Sequence, residues 1–91
     1  MNAYRLRISR SVKRQVDRLP GHIRQRVRRL IDGLGKNPRP DNAKELRNLP
    51  GRYRVRLNGW RVIYKVDDDA LQVIILAVKC KRGPETYQGL E

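Results

Sequence analysis

Ninety-one residues hold one hydrophobic core and bury roughly 60–65% of their extended surface, so residues 1–91 read as a single domain with no room for a second. Lysine and arginine number 22 against 9 acids, giving +13 at neutral pH and a pI near 11.1, and most of these cations are arginine, which suits bidentate contacts to phosphate. The single cysteine excludes an internal disulfide, and with the single histidine it excludes a Cys/His zinc site. No run approaches the ~20 apolar residues of a membrane span, and the opening lacks the apolar stretch of a signal peptide, so a cytoplasmic protein with a polyanionic partner is expected.

Residues 3–8 alternate, with Tyr4, Leu6 and Ile8 against Arg5 and Arg7, which predicts a half-buried strand. Ser9 and Ser11 offer N-caps for a helix whose stripe is Val12, Val16 and Leu19, ended by Pro20-Gly21. A second helix starts near His22 and carries Ile23, Val27, Leu30, Ile31 and Leu34; the short link between the two predicts an antiparallel pair. Residues 36–50 hold three prolines without a period and read as a loop, in which the stretch "AKELRNL" is ordered if Leu46 and Leu49 dock on the core. Three strands then follow, at 52–57, 60–66 and 71–78, the last so continuously apolar that it should be internal. The fold class is α+β: an N-terminal strand, a two-helix hairpin and a three-strand antiparallel meander, with the helices on one face of a largely antiparallel sheet.

Asn58-Gly59 suits a two-residue turn with both φ angles positive, and this sets the register of the first hairpin. Leu57 then meets Trp60, Val55 meets Val62 and Tyr53 meets Tyr64, all on the helix face. On the other face Arg56 meets Arg61, Arg54 meets Ile63, and Lys65 lies close by; Arg61 is expected to be exposed there. Like charges set directly opposite one another cost up to ~1 kcal/mol unless an anion lies between them, so this face is read as anion-binding. Lys79, Lys81 and Arg82 leave the last strand together and extend it. Tyr87 either stacks on a base or anchors a terminal turn. His22 at a helix start is read as solvated, Asp67-Asp68-Asp69 as a turn, and no Gly-rich phosphate loop is present.

The element order, the "YRVRLNGWRVIYKV" hairpin, the apolar strand and the closing "KRGPETY" resemble the RelE/ParE superfamily of bacterial and archaeal toxins, over nearly the whole chain. That resemblance implies the toxin half of a type II toxin–antitoxin pair, neutralised by a partner with an acidic toxin-binding segment. RelE-type members enter the ribosomal A site and cut mRNA there, by attack of a ribose 2′-OH on the adjacent phosphate without metal or cofactor. By position the catalytic set would be Arg54, Arg56 and Arg61, then Lys81 or Arg82, and Tyr87, with Lys65 and Lys79 as further RNA contacts. Many relatives carry lysine where this chain has Arg54 and Arg56. Arginine keeps its proton to a pKa above ~12, so it clamps a phosphate and is a poor general base. The ParE-like alternative keeps the fold and inhibits DNA gyrase by binding; a non-catalytic nucleic-acid module is a third reading.

Overall fold

The serine ahead of the first helix acts as its cap: the Ser9 hydroxyl accepts from the Val12 N–H at 3.2 Å. The structure is a computed structural model and describes residues 3–80. Seven elements run in the order β1 (Arg5–Ile8), α1 (Arg10–Asp17), α2 (Gly21–Lys36), β2 (Ala43–Glu45), β3 (Arg52–Leu57), β4 (Trp60–Asp67) and β5 (Gln72–Cys80). The helices run antiparallel, and Arg28 of α2 reaches Asp17 of α1 at 3.0 Å.

All strands join one sheet in the order β1-β5-β4-β3-β2. β1 lies parallel to β5, and every other pairing is antiparallel. β2 corrects the expected loop at 36–50: Ala43, Lys44 and Glu45 pair with Val55, Arg54 and Tyr53. Three residues are too few to show a period, so only tertiary pairing reveals them. Asn58 (φ 47°) and Gly59 (φ 79°) make the turn with both φ positive, and the β3–β4 register follows the expected pairs throughout.

The core lies between the helices and one face of the sheet, where Val27, Val55, Val62, Tyr64 and Val73 are wholly inaccessible. Each such aliphatic side chain contributes about 1.5–3 kcal/mol by leaving water. Tyr64 keeps its phenol satisfied by donating to the Pro38 carbonyl at 2.7 Å, and its ring stacks on Tyr53 at 5.7 Å. At the rim, Arg39 donates to the Tyr53 hydroxyl at 2.9 Å and to both Asp68 oxygens at 2.8 and 3.2 Å, while Tyr4 donates to Asp68 at 2.6 Å. This buckle ties β1, the α2–β2 connection, β3 and the β4–β5 turn together. Among the described residues no helix is long and apolar enough to cross a membrane.

Candidate nucleic-acid interface

The face turned away from the helices has rows of side chains set by the strand register. Arg61 of β4 is the cross-strand partner of both Arg56 of β3 and Lys79 of β5, three cations in line on adjacent strands roughly 5 Å apart. The next row is Lys44, Arg54, Ile63 and Ala77, and the one after it holds Arg52, Lys65, Ile74 and Arg7. The Arg56–Arg61 opposition expected from the turn is therefore present, and Lys79 joins it. Lys65 does not: it stands four residues along β4 from Arg61, about 13 Å away, and pairs with Arg52 instead.

Lys79 reaches this face because the ladder shifts. Lys65 and Tyr64 pair with Ile74 and Ile75, but Ile63 pairs with Ala77, so Leu76 is an extra residue on β5. A bulge reverses the alternation beyond it. Val78 then turns into the core beside Val62, and Lys79 turns outward beside Arg61. Continuous apolarity from Val73 to Val78 hides that shift from sequence reading.

Arg61 requires a correction. It is 4% exposed, where an exposed position was expected, while Arg56 beside it is exposed. β4 is the middle strand of five, so a side chain at this position is hemmed in from both neighbours. Beside the cationic row lies a small apolar cluster of Leu46, Ile63 and Ala77, with Leu49 packed against it. The docking expected of Leu46 and Leu49 thus occurs, on the face away from the helices. The 46–52 segment lies over the sheet here, and an open cleft is lined by Lys44, Glu45, Leu46, Arg47, Asn48 and Arg54. Lys44, Arg47 and Arg52 are further cations on or beside this face that the sequence reading did not include. Arg52 had a usable signal, since it shares the period of Arg54 and Arg56; Lys44 and Arg47 lay in what read as loop.

Two motif residues have roles on the other face. Tyr53 and Tyr64, conspicuous in the hairpin, hold the Arg39 loop and not the basic face. Asp67 accepts from the Ala70 N–H at 3.0 Å, and the Arg39 guanidinium, then the Tyr4 hydroxyl, hold the Asp68 carboxyl below its ordinary range. Both acids thus serve the turn. Among the described residues no three His, Cys, Asp or Glu side chains converge. Lys81, Arg82 and Tyr87 lie outside the described residues.

Residues 6–83 match the family described as ParE toxin of type II toxin–antitoxin system, and the chain belongs to that family, within the RelE/ParE group of toxins. It is 25% identical over 87 residues to the mRNA interferase toxin RelE of Escherichia coli K12, covering 93% of this chain and 90% of that one. The fold is similar to the archaeal RelE–RelB complex of Pyrococcus horikoshii, with TM-score 0.79 and 28% identity over 90% of this chain and 99% of that one. It is also similar to the RelBE2 toxin–antitoxin complex of Mycobacterium tuberculosis, with TM-score 0.73 and 29% identity over 86% of this chain and 98% of that one.

Proposed function

We propose that the chain is a ribosome-dependent endoribonuclease that cuts mRNA in the A site, stops translation, and is neutralised by a cognate antitoxin with an acidic toxin-binding segment. The observation that carries this reading is the row Arg56–Arg61–Lys79, three cations on adjacent strands with Arg61 buried between the other two. A scissile phosphate on this row meets charge that is already oriented. As the ribose 2′-OH gives its proton to water and its oxygen bonds to phosphorus, the P–O5′ bond breaks, the 5′-oxygen takes up a proton, and negative charge grows on the phosphoryl oxygens in between. Arg61 and Arg56 are placed to stabilise it, and the water-poor surroundings of Arg61 strengthen that interaction. Arg54 holds the backbone beside the row, and Lys65 with Arg52 grips the strand farther along. Lys81 or Arg82 would assist the leaving oxygen, and Tyr87 would orient the nucleotide. None of the arginines serves as base, since guanidinium keeps its proton.

The relatives named mRNA interferase favour the nuclease over the ParE-like alternative. The family match carries the ParE name, which keeps gyrase inhibition by binding as the second reading. A cell-free translation system separates them. Message cut in the A site on addition of the folded protein is the expected result; intact message with blocked gyrase would establish the second reading. Cleavage is also expected to survive EDTA treatment of the protein when Mg²⁺ is restored for the ribosomes, because the cationic row supplies the positive charge at phosphorus. Activity recovered only with a transition metal would overturn that mechanism.

A further inference from the structure

We infer that Gln15, on α1, is a positioning residue for the basic face: it holds β5 in the register that turns Lys79 toward Arg61. The inference rests on reading that face as the RNA-binding surface. β1 pairs with β5 only as far as Ile8 and Ile75, so among the described residues β5 beyond Ile75 has no strand neighbour on that edge. Into that edge Gln15 projects from beside the Val12–Val16 stripe, and its Oε1 accepts from the Val78 N–H at 2.9 Å.

The bulge makes this hydrogen bond possible. In an antiparallel ladder, backbone N–H groups point alternately toward one neighbour and the other. Without the extra Leu76, the register fixed by Lys65 and Ile74 would continue unbroken. Val78 would then stand opposite Arg61 with its N–H toward β4, and Lys79 would face the helices opposite Trp60. A one-residue slip exchanges the two faces of everything beyond it. The apolar side chains from Val73 to Val78 fit either phase, so hydrophobic patterning does not choose between them. Lys79 disfavours the phase that would turn it toward the core, and Gln15 adds to that choice by offering an acceptor only to the bulged register.

The test compares wild type with Gln15→Leu, Gln15→Glu, Lys79→Ala and the double variant Gln15→Leu/Lys79→Ala. The readouts are thermal unfolding, hydrogen exchange of the Val78 amide, and the salt dependence of affinity for a single-stranded RNA oligonucleotide. Gln15→Leu is expected to deprotect Val78 and to flatten log affinity against log salt by about 0.7, the loss of one phosphate contact on a single strand. The double variant should bind no more weakly than Lys79→Ala alone, and Gln15→Glu, which still offers an oxygen acceptor, should keep the wild-type slope. A folded Gln15→Leu protein with the wild-type slope, or losses that simply add to those of Lys79→Ala, overturns the inference. Should Gln15→Leu fail to fold, a folded Gln15→Glu protein with the slope lost overturns it equally. Wild type that leaves ribosome-bound message intact refutes the nuclease reading while the binding comparison still decides the role of Gln15. Wild type that cuts ribosome-bound message yet does not bind the oligonucleotide overturns the inference and leaves the nuclease reading standing.

Discussion

The two faces of the sheet obey opposite electrostatic rules, although they are built from alternate residues of the same strands. On the helix side and its rim, polar groups are matched: Tyr64 with the Pro38 carbonyl, Asp68 with Arg39 and Tyr4, Asp17 with Arg28. On the far side Arg56, Arg61 and Lys79 oppose one another, as do Lys44 with Arg54 and Arg52 with Lys65. Matched groups favour the folded chain alone, whereas opposed cations favour the chain with an anion bound. The core and the cationic face are therefore separated by a single step along the backbone, as between Arg61 and Val62.

The largest break in that contrast should come from Arg61→Met, which keeps much of the side-chain volume and removes the charge. Message cleavage is expected to fall roughly 10²–10³-fold, the usual loss for a preorganised electrostatic group. Unfolding measured beside cleavage should show the variant still folded, since side-chain volume is largely conserved. Full cleavage by the folded variant would show that the basic face is not the reactive one. Val62→Ala should invert the pattern: Val62 is inaccessible, so the change costs about 1–3 kcal/mol in denaturant unfolding, with activity altered only through the folded fraction. Loss of cleavage at full folding would blur the two faces.

Smaller effects come from titration on the helix side. Burial, then the charge of Tyr53, pushes the Tyr64 phenol up to about 12 from 10.0. The neutral phenol is favoured in the folded chain, so its contribution is complete below pH 10 and is lost as pH rises from there toward about 12. Tyr64→Phe should remove that alkaline component from a stability–pH curve, and an unchanged curve would count against it. The smallest effect belongs to Asp68, which is exposed and whose carboxyl is held below its usual value of 3.8. Its contribution is present above that value and fades as pH falls through the lower folded value; Asp68→Asn should flatten the acid limb of the same curve.

How much of this was visible in the chain depends on how local the cause is. Asn58-Gly59 fixed the register of the first hairpin from two residues, and the Val12–Val16 and Ile23–Leu34 stripes located both helices. The hairpin arginines followed from period two. β2 and the cations near it were not visible, because Ala43–Glu45 pairs only through Val55, Arg54 and Tyr53. The bulge escaped notice because apolar residues suit either phase of β5. The burial of Arg61 depends on strand order, which no local pattern encodes, and Gln15 looked like any polar residue on a helix flank.

The pairing of Arg5 with Gln72 has a consequence for the order in which the protein is made. β1 leaves the ribosome before the other described elements, yet the strand it pairs with among the described residues is β5, the last of them to be synthesised. Contacts this distant in sequence form late, after the loop between them has been closed at an entropic cost. Lys79 is added in the same stretch, so the three-cation row is absent from every shorter nascent chain. Protease protection measured on ribosome-stalled chains of increasing length should show β1 becoming resistant only once β5 has cleared the exit tunnel. A chain built this way withholds its basic row from the ribosome that is translating it until β5 itself has been made.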